Sequence, residues 1–199
     1  CREYGVEVLT LYSFSTENWR RPTTEISTLM DILRRYVLSE RSLMMENGIR
    51  LNAIGDIERL PLYARLPLKA LMKETRENKD MVLNLALSYG SRAEMIHAVR
   101  SLAEEVKNGS LAPEDIDDEL FSSRLFTAGM PDPDLLIRTS GELRLSNFLL
   151  WQAAYCELYI LEKPWPEFQR SSLEEAFRVY GSRERRFGKT GQQLRGEAS

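Results

Sequence analysis

Short apolar runs alternate along this chain with longer stretches of helical periodicity, and this alternation restricts the fold more than any other feature. The apolar, β-branched runs predict strands at residues 6–13, 49–55, 81–90, 134–140 and 156–161. Helices are predicted over residues 23–46, 62–78, 91–109, 113–126, 147–155 and 172–186. Such alternation is typical of an α/β fold with a mainly parallel sheet flanked by helices.

The domain organisation follows from the absence of internal breaks. No linker, repeat or low-complexity stretch interrupts the pattern, so we expect a single domain over residues 1–188. The segment 189–199 has no apolar periodicity and is expected to be a flexible tail.

Composition excludes several classes of function. A net charge of −3 argues against nucleic acid as the main partner. His97 is the only histidine, which argues against catalysis by a serine–histidine pair and against a metal site built from histidines. Two cysteines form no disulfide framework. No apolar run approaches the roughly 18 residues of a membrane span. We therefore expect a cytoplasmic protein.

Polar residues gather where three of the predicted strands end, at residues 13–21, 88–92 and 138–146. In open α/β sheets ligands bind outside the carboxyl ends of the strands. These three clusters are therefore the candidate binding residues.

The first cluster, "SFSTENWRRP", offers several kinds of contact to a ligand. Ser15 and Thr16 carry hydroxyls, Asn18 an amide, Trp19 a flat ring and Arg21 a positive charge. Phosphate oxygens could accept hydrogen bonds from the hydroxyls and the guanidinium. The alternative is a capping network over the next helix, which would leave Trp19 and Arg21 unexplained.

The last of the three clusters, in "IRTSGELRLSNF", is called here the second basic cluster, and it resembles an anion site. Arg138 ends a strand, Arg144 lies six residues later, and Ser146 precedes a helix expected to begin at Asn147. The fixed donor fork of arginine suits diphosphate oxygens, and a helix N-terminus favours anions. Alternatively, both arginines are surface residues paired with glutamates.

Two further features leave alternatives open. Glu157 is an acid in an apolar run and should be paired or bind a metal; an arginine partner is the alternative to Mg²⁺. The basic run Arg183–Lys189 is either a solvated helix end or a second phosphate-binding arm. Neither a dinucleotide fingerprint nor a P-loop occurs in the sequence.

The motifs "LTLYSFSTENWRRP", "RTSGELRLSNFLLWQAAYCELY", "WPEF" and "RERRFG" stand in the order found in the cis-prenyltransferases. The chain resembles this family, in particular bacterial undecaprenyl diphosphate synthase. The resemblance implies an α/β prenyltransferase that adds isopentenyl diphosphate repeatedly to farnesyl diphosphate with cis geometry. The implied product is a long polyprenyl diphosphate, the undecaprenyl carrier for cell-wall precursors, which is delivered to the membrane.

The resemblance also assigns residues. It implies substrate-binding roles for Ser15, Thr16, Glu17, Trp19, Arg21, Arg138, Arg144, Leu145 and Ser146. Asn18 matches the residue of the proton-removal step, although an amide is a poor base and better suited to orienting substrate. Glu157 matches the Mg²⁺ ligand. The tunnel for the growing chain would be lined by Ser13, Leu29, Ile32, Leu33, Met81 and Leu85.

The remaining implications concern assembly and the start of the chain. Arg186 and Gly188 match an element that reaches into a partner subunit, which implies a homodimer, cytoplasmic or loosely associated with the membrane surface. The family's Asp-Gly-Asn-Gly-Arg-Trp motif, with its metal-binding aspartate and the first strand, does not occur here. We therefore expect this chain to be a fragment, or its first segment to be missing. The other hypotheses are a non-catalytic partner subunit and an unrelated phosphate-binding module.

Overall fold

The computed structural model describes residues 1–183, and its contacts divide the chain into two compact units. The first is Cys1–Pro131, and the second begins at Asp132. The first unit contains β1 (Val8–Ser15), α1 (Thr23–Ser39), α2 (Arg41–Glu46), β2 (Ile49–Ile54), α3 (Leu62–Glu74), β3 (Met81–Tyr89), α4 (Ser91–Lys107) and α5 (Asp118–Ser122). The second contains β4 (Leu135–Arg138), β5 (Glu157–Ile160) and α6 (Arg170–Gly181). The single domain predicted over residues 1–188 stays a prediction.

The strands of the first unit form a parallel sheet in the order β1–β3–β2. In its register Leu85 lies beside Leu11 on one neighbour and Ala53 on the other. Parallel strands need helical crossovers, and the amphipathic stretches between them supply these. The mainly parallel α/β fold is therefore confirmed, and the carboxyl ends of all three strands share one edge.

One face of this sheet carries the hydrophobic core. Phe14, Leu51 and Met81 pack with Met30 of α1 and Leu68 of α3 in a single buried cluster. Each large apolar side chain buried in this way contributes about 1.5–3 kcal/mol. The helical periodicity of α1 and α3 is thus explained by the sheet face they cover.

A buried polar row crosses the middle of the sheet. Asn52 Nδ2 donates to Asn84 Oδ1 over 2.9 Å, and Asn84 Nδ2 donates to Thr10 Oγ1 over 3.2 Å. Asn84 is fully buried, and a buried amide without partners would cost free energy. The row satisfies this amide and fixes the register of the three strands.

A buried acid lies near the start of α4. Glu94 is fully buried; it accepts a hydrogen bond from Tyr89 Oη at 2.5 Å and another from the backbone N–H of Phe126 at 2.9 Å. These bonds compensate the burial of the carboxyl group. They tie the end of β3 to the segment that follows α5.

In the second unit, β4 and β5 are parallel, with Leu135 beside Glu157 and Arg138 beside Ile160. The segment between them carries the second basic cluster. The last helix runs over Arg170–Gly181 rather than the predicted 172–186. Within residues 1–183, no helix is both long and apolar enough to cross a bilayer.

Most predicted elements of the first unit occur within a few residues of their expected bounds, but two of its helices differ. The helix expected over residues 23–46 is two helices, because Glu40, with ψ 1°, leaves helical geometry between them. The segment 113–126 contains a 3₁₀ turn at Pro113–Asp115 and the short α5 rather than one helix.

Candidate active site

The exits from β2 and β3 in the first unit lie side by side. Gly55, directly after β2, has φ 104°, and a Cβ at this position would stand 2.3 Å from the carbonyl oxygen of Leu87. The backbone N–H of Asp56 donates to the carbonyl oxygen of Ser88 at 3.3 Å. Only glycine permits such a close approach. The chain after β2 is therefore held against the end of β3.

The segment after β1 is the tryptophan loop, defined here as residues 15–21, most of which forms a 3₁₀ helix over Thr16–Arg20. Asn18 Oδ1 accepts a hydrogen bond from the backbone N–H of Ser15 at 2.8 Å. The side chain of Asn18 makes no other hydrogen bond within residues 1–183. Because one lone pair of the oxygen is engaged, the main group that Asn18 can offer a ligand is its Nδ2 donor.

Trp19 is packed within the first unit. Its Nε1 donates to Ser88 Oγ over 2.9 Å, and its ring meets Phe14 edge to face, with centroids 5.0 Å apart. The guanidinium carbon of Arg59 lies 4.5 Å from the ring centroid. The Trp19–Ser88 bond brings the cluster at residues 13–21 to the one at residues 88–92, as their strand ends predicted.

The remaining polar groups of the tryptophan loop are partnered locally. Arg21 Nη1 lies 2.7 Å from Glu25 Oε1, and both side chains are exposed. Thr16 Oγ1 donates to Glu17 Oε2 over 3.1 Å. Exposed ion pairs contribute about 0–1 kcal/mol, so Arg21 can exchange Glu25 for another anion at little cost. The alternative of a capping network explains part of the loop. Arg21 and Trp19, which capping leaves unexplained, have Glu25 and Ser88 as their partners.

The residues predicted to line a tunnel lie in three different environments: the hydrophobic core, an open groove beside α1, and an exposed position on β1. Met81 is part of the buried core, and Leu29, Leu33 and Leu85 pack against it half-exposed. Ile32 borders an open groove on the side of α1, next to Tyr36 and Ser39. Ser13 is exposed at a register shift in β1, and its Oγ donates to the carbonyl oxygen of Leu11. Their role as a tunnel stays a prediction.

The second basic cluster occupies the arginine loop, defined here as residues 138–149. Arg138 ends β4, and its backbone carbonyl accepts from the N–H of Leu161 at 2.7 Å. Its Nη2 lies 3.5 Å from Ser146 Oγ, the outer limit of a hydrogen bond. Its Nε is buried and has no hydrogen-bond partner within residues 1–183. Arg138 and Ser146 are thus together, with a donor left unsatisfied.

The helix predicted over residues 147–155 is wrong, and Asn147 is not a helix N-terminus. The segment consists of turns, and the φ angles of Ser146, Asn147 and Leu149 are 51°, 62° and 45°. A left-handed residue breaks a right-handed helix, and the positive φ of Leu149 accompanies a side chain that is only 4% exposed. The spacing of apolar residues resembled a helix, but burial in an irregular loop explains it.

Arg144 differs from Arg138 in being open to solvent. It forms an ion pair with Glu142, and its side chain is 64% exposed. Leu145, next to it, is half-buried. Within residues 1–183, the alternative of a surface arginine paired with a glutamate is therefore met by Arg144 and not by Arg138.

Glu157 has the arginine partner that the sequence left open. Arg183 Nη1 lies 2.7 Å from Glu157 Oε2 and also donates to the carbonyl oxygen of Leu158 at 2.8 Å. Within residues 1–183 no group of three or more acidic, cysteine or histidine side chains is arranged to hold a metal ion. Arg186 and Gly188 lie outside the described residues.

Sequence reasoning missed three contact residues. Ser88 was placed in a polar cluster but not linked to Trp19, which is 69 positions away. Arg59 follows β2, so its position at a strand end was the available signal. Arg183 was seen only as part of a basic run, and no spacing indicates its pairing with Glu157.

Comparison with known proteins decides the family. The prenyltransferase family model for undecaprenyl diphosphate synthase matches residues 1–188. The chain belongs to this family. Isoprenyl transferases of Chlorobaculum tepidum and Porphyromonas gingivalis are 50% and 52% identical to it, over 97% and 96% of the chain and 73% and 75% of their own lengths.

Solved structures agree with this assignment. Lavandulyl diphosphate synthase from Lavandula x intermedia, in complex with dimethylallyl diphosphate, has a TM-score of 0.92 and 37% identity, covering 94% of this chain and 81% of that one. A Campylobacter jejuni protein described as "a probable undecaprenyl diphosphate synthase" has a TM-score of 0.83 and 35% identity, covering 95% and 86%. The protein is therefore a prenyltransferase with the fold of the cis-prenyltransferases.

Proposed function

We propose that this prenyltransferase joins isopentenyl diphosphate to an allylic diphosphate, farnesyl diphosphate, and extends it to a long polyprenyl diphosphate by cis additions. Its membership in the undecaprenyl diphosphate synthase family supports the reaction class. The observation that carries the assignment of a diphosphate site is the buried, unpartnered Nε of Arg138 beside Ser146.

An anion bound at Arg138 would lower the free energy of the arginine loop. A buried donor without a partner costs about 1–3 kcal/mol, and more when the group is charged. A phosphate oxygen would remove this cost, and charge-assisted bonds to phosphate are about twice as strong as neutral ones. Arg144, exposed and, within residues 1–183, paired only with Glu142, is a second cation for the same anion. Isopentenyl diphosphate is the proposed ligand of this loop.

The reaction requires one bond to break and another to form. The bond between the allylic carbon and its diphosphate oxygen breaks, the isopentenyl double bond attacks that carbon, and the isopentenyl unit loses a proton, which a diphosphate oxygen can accept. Donors aimed at the departing diphosphate stabilise the charge it gains. In the tryptophan loop, Asn18 Nδ2 and Arg21 are the proposed donors, with Ser15, Thr16 and Glu17 forming the backbone and side-chain frame around them. Asn18 orients substrate rather than accepting the proton.

Glu157 is the proposed Mg²⁺ ligand. Its Oε2 is bonded to Arg183, whereas its Oε1 accepts no hydrogen bond within residues 1–183. Mg²⁺ is often held by one or two carboxylates together with substrate phosphates and water, so a single open oxygen fits a site that the substrate completes. When bound, the ion would add positive charge beside the diphosphate.

The product and the assembly are the finer parts of the proposal. A lengthening prenyl chain needs apolar surroundings, since each buried CH₂ contributes about 0.8 kcal/mol, and the side chains proposed for this are Ser13, Leu29, Ile32, Leu33, Met81 and Leu85. We propose a homodimer in which Arg186 and Gly188 act across subunits. The lipid product, proposed as a cell-wall carrier, passes to the membrane.

Incorporation of labelled isopentenyl diphosphate tests the function. The complete gene product is incubated with farnesyl diphosphate and Mg²⁺, and the organic-extractable label is separated by chain length. We expect long labelled products whose formation needs both substrates. Label that stays in the aqueous phase, with active enzyme from a relative as control, would contradict the proposal.

A further inference from the structure

Three groups from different parts of the first unit hold the indole of Trp19. Ser88 Oγ accepts from its Nε1, Phe14 meets its ring edge to face, and Arg59 covers one face. An indole whose single donor is satisfied and whose face is covered has little left to offer a ligand. Trp19 therefore acts on the site through the loop that carries it.

Ser88 adopts a backbone conformation that serine rarely takes. Its φ is 49°, and the residue is 2% exposed. Glycine reaches this region without a steric penalty, whereas other residues there cost about 1–3 kcal/mol and depend on the surrounding structure. Serine supplies what glycine lacks, a hydroxyl that accepts from Trp19. Strain kept at this position points to a role for that contact.

Arg59 provides the contact on the ring face together with a charge. It ends the 3₁₀ turn Ile57–Arg59 directly after β2. No ion pair of Arg59 is found within residues 1–183. A cation over an aromatic ring is attracted by the negative face of the ring. Arg59 thus steadies the ring and keeps a positive charge at the strand edge.

We propose that Ser88 and Arg59 are positioning residues that latch Trp19 and so hold the tryptophan loop in its substrate-binding arrangement. This inference rests on the proposed function, because it gives the loop a diphosphate ligand. Asn18 and Arg21 lie on either side of Trp19 in sequence, so displacement of the indole moves both donors. When only a fraction of molecules has the loop in place, the apparent Kd rises by the inverse of that fraction. Loss of the latch raises KM and leaves kcat nearly unchanged.

Kinetics of Ser88→Ala in the complete gene product test the latch. A neutral hydrogen bond worth about 1 kcal/mol corresponds to about a fivefold change in binding. We expect the KM for the diphosphate substrates to rise about fivefold, with kcat within twofold of wild type. Ser110→Ala is the matched control, because in the described part of the chain Ser110 Oγ bonds only to the carbonyl of Glu105 near the end of α4. An unchanged KM in Ser88→Ala overturns the proposal.

Two further sets of variants separate a latch from a general loss of stability. Adding Ser88→Ala to Trp19→Phe should raise KM no further, because the phenylalanine already lacks the donor. Arg59→Gln should raise KM more than Arg59→Lys, since only lysine keeps the charge over the ring. Additive effects in the first pair, or equal effects in the second, contradict the latch.

A readout without substrate keeps the inference distinct from the proposed function. The chain has three tryptophans, so the indole N–H signal that Trp19→Phe removes identifies Trp19 by ¹⁵N NMR. In Ser88→Ala this signal should move and exchange faster, while the other two stay in place. An unmoved signal refutes the latch even if the enzyme is active. If the signal moves in Ser88→Ala but the wild-type protein transfers no prenyl group, the proposed function is refuted instead.

Discussion

The tryptophan loop and the arginine loop both follow parallel strands, yet they satisfy their polar groups in opposite ways. In the tryptophan loop, Asn18 bonds to Ser15, and Trp19 bonds to Ser88. In the arginine loop, among the residues that the structure describes, Arg138 keeps a buried donor without a partner, and the exposed Arg144 pairs only with the half-buried Glu142. The first loop is therefore held in a preformed structure, whereas the second keeps donors that are available to a ligand. A loop's polar content therefore says less about its role than the number of donors its own fold leaves unused.

The largest effect is expected from Arg138→Ala. Hydrogen bonds to charged groups contribute about 1.5–3 kcal/mol, so we expect the KM for isopentenyl diphosphate to rise about 100-fold. The KM for farnesyl diphosphate should change less than threefold, since the arginine loop is assigned to the isopentenyl substrate. Steady-state kinetics with each substrate varied measure both constants. Equal losses for the two substrates would contradict the assignment of this loop.

Arg144→Ala should have a smaller effect in the same direction, about tenfold on the KM for isopentenyl diphosphate. Arg144 is exposed, and screening by solvent weakens its attraction for the anion. Glu142→Gln is the matched variant, because it frees Arg144 and should lower this KM. If Arg144→Ala raises the KM for isopentenyl diphosphate more than Arg138→Ala does, the burial of an arginine does not determine its contribution to binding. That result would contradict the comparison of the two loops.

Asn18 separates the two functions that the tryptophan loop combines. Asn18→Asp keeps an oxygen for the N–H of Ser15 but replaces the Nδ2 donor with negative charge, so kcat/KM should fall more than tenfold at an unchanged Tm. Asn18→Ala removes both groups and should also lower Tm. Activity assays and thermal unfolding distinguish the variants. Full activity in Asn18→Asp would show that Asn18 only caps the loop.

Arg183→Gln tests whether the ion pair at Glu157 competes with a metal. Removing the guanidinium frees Glu157 Oε2 and removes a cation beside the proposed site. The Mg²⁺ concentration for half-maximal activity should fall about threefold, and titration calorimetry with Mg²⁺ and isopentenyl diphosphate should show the same change. Glu175 and Arg178 form an exposed pair on α6, and Arg178→Gln is the matched control. An unchanged Mg²⁺ requirement would remove Glu157 from the metal site.

The smallest effect concerns the backbone of the arginine loop. Ser140 has φ 65°, which glycine adopts more easily than serine. Ser140→Gly relieves local strain in the folded protein but increases the conformational entropy of the unfolded chain. Because these two effects oppose each other, the free energy of unfolding should change by less than about 1 kcal/mol. Denaturant unfolding measures it. A loss well beyond that would show that the Ser140 side chain has a structural role.

The strands were predictable because buried parallel strands are continuous apolar runs, as in residues 81–90. The loops were predictable only in composition. Nothing in the spacing of "NFLLWQAAY" signals the left-handed backbone of Leu149, because its apolar residues suit a helix equally well. The partners of Trp19 and Glu157 come from distant segments and depend on the complete fold. Local pattern thus located the candidate site residues, and tertiary contact decided which of their donors remain available.

A crystal structure of the protein with isopentenyl diphosphate tests the central claim most directly. We predict a phosphate oxygen within about 3 Å of Arg138 Nε, with Ser146 Oγ also in contact. A diphosphate bound elsewhere, with Arg138 Nε still lacking a partner, would contradict the assignment of the arginine loop as the anion site.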